Sequence, residues 1–280
     1  MDFVTLNNGV KMPQLGYGVY QVKNSECERC VLDAIEVGYR SIDTAQAYGN
    51  EEAVGRAVKK SGVPRSELFL TTKVWISNAG YEKAKASIEQ SLKKLGTDYI
   101  DLLLIHQPFG DYYGTWRAME EAYKIGYLRA IGVSNFYPDR LIDLCRFVEV
   151  TPAVNQVETH VFQQQKKAHE YMLKYEVQHE SWGPFAEGRK DFFTNPTLTA
   201  IGAKHGKTAA QAALRFLLQS GVVVIPKSTH KERMVQNFDV FDFQLPPEDM
   251  AAIATLDEGE SLFFSHYDPA TVEMITGLKR

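Results

Sequence analysis

The hydrophobic run Tyr99-Ile100-Asp101-Leu102-Leu103-Leu104-Ile105-His106 decides the fold of this 280-residue chain. It is one of three runs that each end in a polar residue, and the other two end at Asp43 and at Lys73. The steps between these end residues are long enough for one strand, one helix and two loops. If successive strands lie parallel and adjacent, their carboxyl ends bring Asp43, Lys73 and His106 to one place. Tyr48 follows Asp43 in the next turn and joins them.

Eight strand-like runs of this kind alternate with segments of helical period, of which Ala209–Leu217 is the clearest. The strands are expected at Leu15–Tyr20, Ser41–Asp43, Leu68–Lys73, Tyr99–Ile105, Leu128–Val133, Ala153–Val157, Val177–Glu180 and Val222–Ile225. In a chain of this length the alternation predicts an α/β fold, a closed (β/α)8 TIM barrel, formed as one domain over residues 1–280. An Asn-Gly pair between Val4–Leu6 and Val10–Met12 predicts an N-terminal β-hairpin with a two-residue turn.

A doubly wound parallel sheet is the alternative fold for the same alternation. Its usual dinucleotide-binding fingerprint is missing, because Gly16-Tyr17-Gly18 is followed by Gln21 where a third glycine is needed. The intervening Val19-Tyr20 also does not begin a helix. No linker rich in Gly, Ser or Pro divides the chain. The barrel is therefore the favoured prediction.

Composition and charge exclude several classes of protein. With 44% hydrophobic and 24% charged residues the chain has the composition of a soluble globular protein, and its formal net charge of −4 argues against general nucleic-acid binding. No apolar run approaches the roughly 20 residues of a membrane span, and no signal peptide is visible. Three cysteines cannot form a full set of disulfides. We expect a cytoplasmic protein, monomeric or weakly associating, that binds neither nucleic acid nor membrane.

The sequence Cys27-Glu28-Arg29-Cys30 is a lone CxxC motif. Without a second cysteine pair or nearby histidines it is weak support for a zinc site. Both sulfurs fall on the apolar face of a predicted helix, so we expect no bound metal.

The four polar side chains suit acid–base chemistry on a carbonyl group. The phenol of Tyr48 has an ordinary pKa near ~10, and a lysine ammonium within hydrogen-bond reach lowers the pKa of a phenol. Asp43 beside Lys73 keeps the ammonium charged. His106 can donate a hydrogen bond to a substrate oxygen, and Tyr48 can then give that oxygen its proton. Taken singly, Asp43 could equally cap a helix, Lys73 and Tyr48 could be rim residues, and His106 a core histidine. These structural roles would require four independent coincidences at neighbouring positions, so a shared active site is the stronger interpretation.

Six segments of the chain are similar to the signature segments of the aldo-keto reductase superfamily. They are Asp43-Thr44-Ala45-(x)2-Tyr48-(x)2-Glu51, Lys73-Val74-Trp75, Leu104-Ile105-His106-Gln107-Pro108, Gly132-Val133-Ser134-Asn135-Phe136, Asn155-Gln156-Val157-Glu158 and Ile225-Pro226-Lys227-Ser228. The resemblance extends from Leu6 to Leu256 and is greatest to the prokaryotic group that includes 2,5-diketo-D-gluconate reductases. It implies NADPH-dependent reduction of an aldehyde or ketone on a (β/α)8 barrel. It also implies catalytic roles for Asp43, Tyr48, Lys73 and His106.

The resemblance further implies which residues bind NADPH. Hydroxyl and amide groups at strand ends match the donors and acceptors of the nicotinamide carboxamide, and the residues concerned are Ser134, Asn135 and Gln156. Trp182 would stack on the nicotinamide ring, although a tryptophan at that position, taken alone, is more often a core residue. A basic loop leading into a helix would bind the adenosine end, with Arg233 at the 2′-phosphate and Gln236 and Asn237 at the adenine. The basic loop is Lys227, Ser228 and Thr229, and its alternative interpretation is a solvated turn.

Four residues are expected to line the substrate pocket: Val19, Tyr20, Trp75 and Gln107. Gln107 stands where the family often has a tryptophan, which makes the pocket wall more polar. The segment Phe263–Asp268 is short for a C-terminal loop that selects substrates. We therefore expect an open pocket for small, hydroxylated or anionic carbonyl compounds.

Two other functions are alternatives to carbonyl reduction. Lys73 could form a Schiff base, as in lyases built on barrels, but that chemistry needs a lowered lysine pKa and pairing with Asp43 opposes it. The chain could also be a non-catalytic regulator that binds NADPH. The intact set of four polar residues disfavours that role.

Overall fold

The computed structural model describes residues 2–278 and contains ten strands and eleven helices within them. The strands are β1 Phe3–Thr5, β2 Lys11–Pro13, β3 Tyr17–Gly18, β4 Ser41–Asp43, β5 Phe69–Val74, β6 Ile100–Ile105, β7 Leu128–Ser134, β8 Val154–Glu158, β9 Gln178–Trp182 and β10 Val223–Val224. The helices are α1 Asn24–Val37, α2 Glu51–Lys60, α3 Tyr81–Leu95, α4 Tyr112–Lys124, α5 Pro138–Phe147, α6 Lys166–Lys174, α7 Pro196–Lys204, α8 Ala209–Gln219, α9 Lys231–Phe238, α10 Pro247–Ala254 and α11 Pro269–Gly277.

Strands β3 to β10 form one parallel sheet in which each strand pairs with the next along the chain. The sheet closes on itself, because Leu15 and Val224 form a parallel bridge between its first and last strands. The N–H of Gly16 donates to the carbonyl of Val224 at 2.8 Å, and the N–H of Val224 donates to Gln14 at 3.1 Å. Closure confirms the predicted barrel, since a doubly wound sheet would leave two open edges.

Helices on the outside explain why the barrel strands are so apolar. Strands β5 and β6 are buried along their whole length, because one face lies in the barrel and the other lies under helices. Helix α1 packs Cys27 and Cys30 inward with its other apolar residues, and burial raises the pKa of Cys27 to about 12. Both cysteines are free thiols in the core. Within residues 2–278 no cluster of metal-binding side chains is found, and no helix is long and apolar enough to cross a bilayer.

The predicted N-terminal hairpin is present, but its turn differs from the prediction. Strands β1 and β2 pair antiparallel, with Val4 opposite Met12. The N–H of Leu6 donates to Val10 at 2.9 Å and the N–H of Gly9 donates to Leu6 at 2.8 Å, so three residues connect the strands instead of two. Gly9 adopts a left-handed conformation with φ of 84°, which accommodates the additional residue as a bulge. The hairpin packs Leu6 and Met12 into one hydrophobic cluster with the barrel strands.

Candidate active site

The four predicted catalytic side chains lie together at the carboxyl end of the barrel. The ammonium Nζ of Lys73 is 2.5 Å from Oδ1 of Asp43 and 3.5 Å from the phenolic oxygen of Tyr48. It also donates to the carbonyl of Thr44 at 3.0 Å. The ring of His106 meets the ring of Tyr48 edge to face, with centroids 5.6 Å apart. Asp43 is thus an ion-pair partner of Lys73, and the interpretation of it as a helix cap is wrong.

The loop that carries Tyr48 is fastened to the strands around it. Tyr48 ends a short 3-10 turn, and its N–H donates to the carbonyl of Ala45 at 3.0 Å. Within the same turn, Gln46 Oε1 accepts from the N–H of Trp75 at 3.0 Å. Asn50, just after the turn, donates to the carbonyl of Val19 at 3.1 Å. These long-range bonds hold the phenol at a fixed place above β5.

Burial and charge set the protonation states of the pair. Burial acts to lower the pKa of Lys73, but the Asp43 carboxylate and the Tyr48 phenol outweigh it and raise that pKa above its ordinary value. Burial raises the pKa of Tyr48 to about 12, although the Lys73 charge acts in the lowering direction that we predicted. At neutral pH the lysine is therefore an ammonium and the tyrosine carries its proton.

His106 lies at the surface of the site. It follows β6 and is 9% exposed, so its ring can meet a small molecule. Its backbone carbonyl accepts a hydrogen bond from Nδ2 of Asn135 at 3.0 Å, and its ring contacts Trp75 with centroids 5.1 Å apart. The strand end and these two neighbours keep the imidazole beside Tyr48.

The three residues expected to bind the nicotinamide carboxamide lie next to the catalytic side chains and are all buried. The hydroxyl of Ser134 donates to the carbonyl of Gln156 at 2.8 Å and accepts from Nδ2 of Asn135 at 3.1 Å. Trp182 is near, since its indole N–H donates to Oδ1 of Asn135 at 2.8 Å. Asn135 itself is left-handed, with φ of 63°, a conformation that asparagine tolerates better than most residues.

The amide of Gln156 shows how a carboxamide would fit. Its Nε2 donates one hydrogen to Oδ2 of Asp43 and the other to Oε2 of Glu180, both at 3.0 Å. Both hydrogens are used, so only the carbonyl oxygen Oε1 remains for a ligand. An acceptor at that place suits the N–H2 group of a carboxamide. The donor set of this region therefore fits the nicotinamide end of NADPH.

The residues expected at the adenosine end lie after β10 and on α9. Lys227, Arg233 and Gln236 are exposed, whereas Asn237 is buried. Neither Lys227 nor Arg233 forms an ion pair with another of the residues at 2–278. Ser228 is less available, because its hydroxyl bonds both to the N–H and to the carbonyl of His230 within the turn. Two cations that form no ion pair within the described part of the chain fit a phosphate group.

Glu180 is a buried functional candidate that the sequence analysis missed. It lies on β9, is 0% exposed and accepts a hydrogen bond from Gln156, while its Oε1 has no partner among the described residues. Burial and the Asp43 carboxylate raise the pKa of Glu180 to about 8, and the Gln156 hydrogen bond and the Lys73 ammonium oppose them only in part. Glu180 therefore holds a proton at neutral pH. Its position as the last residue of the predicted strand Val177–Glu180 was the available signal.

We expect Glu180→Gln to stabilise the protein increasingly as the pH rises from about 5 to about 8. The native pKa lies above the unfolded value, so the native state binds more protons in this window and its free energy of unfolding falls with rising pH. The slope is at most about 1.4 kcal/mol per pH unit. Glutamine keeps an acceptor for Gln156 and cannot ionise. The free energy of unfolding of the variant therefore does not fall with rising pH through this group. Urea unfolding of both proteins across the window measures the difference, and parallel pH profiles would contradict it.

The structure corrects part of the expected substrate pocket. Val19 is 0% exposed and belongs to the core, because its N–H continues the strand pairing by donating to the carbonyl of Asp43 at 3.0 Å. It cannot line a pocket as it stands. Tyr20 is 44% exposed, and its ring lies 5.0 Å from that of Tyr48. Trp75 is at the same end of the barrel but only 4% exposed.

Aromatic and polar side chains of the C-terminal segment lie against the carboxyl end of the barrel. The ring of Trp182 contacts Phe263 at 5.3 Å and Phe264 at 6.3 Å between centroids. His266 bonds to Gln107 at 2.7 Å. Ile275 of α11 packs in a small cluster with Trp75 and Phe109, next to Phe264. The segment Phe263–Asp268 was recognised from the sequence as a C-terminal loop, but none of its residues was assigned to the pocket. Phe109 and Ile275 were not assigned either, because neither belongs to a strand end.

Glu158 attaches this C-terminal segment to the barrel. Its carboxylate ends β8 and accepts from the hydroxyl of Ser261 and, at 2.9 Å, from the N–H of Leu262. His160 contacts the same carboxylate at 3.0 Å. The segment is therefore tied at one end to Glu158 and at the other to Gln107.

A closed parallel barrel that carries a Tyr–Lys–Asp–His set at its carboxyl end, beside a cluster of buried hydroxyl and amide side chains, defines a class, the barrel oxidoreductases that act on carbonyl groups. The family model described as "Aldo/keto reductase family" matches residues 9–258. The chain belongs to the aldo/keto reductase family and is an NADP-dependent oxidoreductase acting on carbonyl groups.

Individual relatives agree with this assignment. The chain is 49% identical to the glyoxal reductase of Bacillus subtilis strain 168, over 92% of this chain and 94% of that protein. It is 45% identical to the methylglyoxal reductase DkgA of Escherichia coli strain K12, with the same two shares covered. The crystal structure of a Bombyx mori aldo-keto reductase in complex with NADP superimposes with a TM-score of 0.87 at 35% identity, covering 92% of this chain and 94% of that one. The first two are bacterial, in agreement with the resemblance to prokaryotic members.

Proposed function

We propose that this enzyme reduces an aldehyde or ketone to an alcohol, with NADPH as the source of hydride and Tyr48 as the source of the proton. The observation that carries the proposal is the contact of the Tyr48 hydroxyl with the Lys73 ammonium at 3.5 Å, where Asp43 pairs with the same ammonium at 2.5 Å. A half-buried, protonated phenol beside a fixed cation is a proton donor whose anion is stabilised as it forms.

Each protein group has a defined task in the reaction. NADPH, when bound, supplies a hydride to the carbonyl carbon and is oxidised to NADP⁺. His106 donates a hydrogen bond to the carbonyl oxygen and orients it toward Tyr48. Tyr48 then transfers its proton to that oxygen as negative charge develops there, and Lys73 stabilises the phenolate. The tyrosine recovers its proton from solvent after the alcohol leaves.

The cofactor site is part of the same proposal. Ser134, Asn135 and Gln156 would hold the carboxamide, and Trp182 would stack on the nicotinamide ring. The support is the placement of the three polar side chains beside Asp43, with Gln156 presenting an acceptor oxygen. At the other end Arg233 would bind the 2′-phosphate, with Lys227, Ser228 and Thr229 in the adjoining loop and Gln236 and Asn237 at the adenine.

The Schiff-base alternative is disfavoured by the protonation state of Lys73. A lysine that attacks a carbonyl must be neutral, and here Asp43 and Tyr48 keep the ammonium charged. The regulator alternative is decided by turnover. Oxidation of NADPH, followed by its absorbance with a panel of keto-sugar acids, short 2-oxoaldehydes and aromatic aldehydes, would establish catalysis. An absence of turnover with every compound would contradict the proposed function.

Small oxygenated carbonyl compounds are the proposed substrates. The support is the polar side chain of Gln107 and the aromatic rings of the C-terminal segment at the same end of the barrel as His106. Two relatives are named for glyoxal and methylglyoxal reduction, which supports the same size class. We further propose that the enzyme is a one-domain monomer of the cytoplasm, which sedimentation equilibrium would test for its oligomeric state.

We expect Arg233→Ala to weaken NADPH binding while NADH binding stays nearly constant. The two cofactors differ only in the 2′-phosphate, so only groups that contact the phosphate discriminate between them. A hydrogen bond to a charged group contributes about 1.5–3 kcal/mol, which corresponds to roughly one to two decades in Kd. Raising the salt concentration should weaken NADPH binding more than NADH binding. Titration of both cofactors by tryptophan fluorescence measures the effect.

The matched control is Lys124→Ala, which removes a cation at the end of α4 that pairs with Glu149. It changes net charge equally and should leave both affinities unaltered. Equal losses of NADPH and NADH affinity in Arg233→Ala would mean that Arg233 has a structural role.

A further inference from the structure

Glu180 and Gln156 lie side by side on neighbouring strands of the barrel. They are opposite each other in the register of β8 and β9, so both side chains point to the same face of the sheet. Nε2 of Gln156 donates to Oε2 of Glu180 at 3.0 Å, and the two residues are 2% and 0% exposed. Oε1 of Glu180 has no partner among residues 2–278. Within that range the carboxyl of Glu180 therefore makes one hydrogen bond, and that bond is to Gln156.

The amide of Gln156 is held by two carboxyl groups from different parts of the barrel. Its second hydrogen is donated to Oδ2 of Asp43, also at 3.0 Å. Asp43 ends β4, which β5, β6 and β7 separate from β8 in the sheet. One hydrogen bond lets an amide turn about it, whereas two bonds in different directions fix its plane. Half a turn would place the acceptor Oε1 against the Asp43 carboxylate, so Oε1 is fixed as the atom left for a ligand.

The two carboxyl groups that share this amide have different protonation states. Asp43 forms an ion pair with Lys73 at 2.5 Å. Burial and the Asp43 carboxylate raise the pKa of Glu180 to about 8, so Glu180 carries a proton at neutral pH. A neutral carboxyl gives Gln156 an acceptor without placing a second negative charge beside Asp43. A glutamine at position 180 would have nearly the same shape and the same acceptor.

We propose that Glu180 is a positioning residue of the cofactor site, which fixes the Gln156 amide so that Oε1 accepts from the N–H2 group of the nicotinamide carboxamide. This inference rests on the proposed function, which places the carboxamide at Gln156. Glu180 acts through Gln156 and not by touching the cofactor. Because the same amide binds Asp43, the partner of Lys73, one side chain sets the orientation of the nicotinamide relative to the catalytic ion pair.

The test compares NADP⁺ with its 3-acetylpyridine analogue, in which a methyl group replaces the N–H2 of the carboxamide. Isothermal titration calorimetry measures the Kd of the analogue divided by the Kd of NADP⁺, so that general damage to the fold cancels. Glu180→Met keeps the length of the side chain and removes the acceptor. It should lower this ratio by roughly 2- to 10-fold, the size of one neutral hydrogen bond. Glu180→Gln, which keeps the acceptor, should restore the ratio of the wild type.

Two further variants guard against loss of the fold. Glu180→Leu removes the same acceptor and repeats the measurement if Glu180→Met does not fold. Glu120→Met is the matched control, because Glu120 is also a nearly buried carboxyl but lies on α4, outside the barrel. Its Oε1 accepts from the N–H of Val150 at 2.9 Å. Its loss should reduce stability and leave the ratio unchanged.

Gln156→Met shows whether Glu180 acts through Gln156. It should lower the ratio by itself, and adding Glu180→Met should then change the ratio no further. A further fall in the double variant overturns the positioning role of Glu180. So does a ratio that falls in Gln156→Met and is unchanged in Glu180→Met, a result that leaves the proposed cofactor site intact. An unchanged ratio in Gln156→Met refutes the carboxamide contact of the proposed function, and this inference with it, so the two failures are distinguishable.

Discussion

Tyr48→Phe should lower kcat by about 10²- to 10⁴-fold, the usual contribution of a general acid. The substitution removes one hydroxyl and keeps the ring that contacts His106 and Tyr20. With no proton donor at 3.5 Å from Lys73, the developing oxyanion must take its proton from water. The affinity for NADPH should stay near that of the wild type. Stopped-flow measurement of single-turnover NADPH oxidation, together with fluorescence titration of the cofactor, checks both parts.

Tyr113→Phe is the matched control for this experiment. Its hydroxyl bonds to Asp143 at 2.8 Å on the outside of the barrel, so its loss removes the same atom far from the site. The control should turn over like the wild type. If Tyr48→Phe retained most of its activity, another group would be the acid.

Lys73→Met should reduce both stability and turnover, and the two losses can be separated. The variant leaves the Asp43 carboxylate buried without its cation, and breaking a buried ion pair from one side costs about 3–5 kcal/mol. It also deprives the forming phenolate of a charged neighbour, a contribution of about 1.5–3 kcal/mol, or roughly 10- to 100-fold in rate. Urea unfolding and single-turnover kinetics measure the two effects.

The double variant Asp43→Asn with Lys73→Met removes both charges at once. Most of the lost stability should return, because no unpaired charge remains, whereas turnover should stay low. Recovery of turnover together with stability would show that Lys73 serves only to hold the fold. The residual rate should also lose the part of its pH dependence that comes from the ammonium.

The parts of the site that were predictable from sequence are those tied to the local pattern of the chain. Asp43, Lys73 and His106 each end a hydrophobic run. Successive parallel strands place their carboxyl ends at the same end of the barrel, so these side chains lie close together. The strand register sets the heights of these residues, since Asp43 lies opposite Thr71 and Lys73 lies opposite Leu104 in neighbouring strands. The same local logic explains the error at Val19. Val19 lay near the end of the predicted strand Leu15–Tyr20 and was taken for a pocket wall, but its side chain is buried in the core.

The missed parts depend on contacts between residues far apart in the chain. His266 and Gln107 are 159 positions apart in the sequence, and Leu262 and Glu158 are 104 positions apart. No periodicity of the sequence predicts either contact. Glu180 was missed for another reason. A lone glutamate in a strand is ordinarily a surface residue, and only the closed barrel shows that its carboxyl faces Gln156 and Asp43 instead of water.

The attachment of the C-terminal segment has a consequence for how such an enzyme changes over generations. The catalytic groups come from the strands, whereas the aromatic rings opposite them come from a stretch of about twenty residues at the end of the chain. That stretch bonds to Glu158, Gln107, Tyr137 and Asp139, none of which is one of the four catalytic side chains. Its sequence can therefore vary with less risk to the chemistry than the sequence of the strand ends. Selection can act on what the enzyme accepts and on what it does as two nearly separate traits.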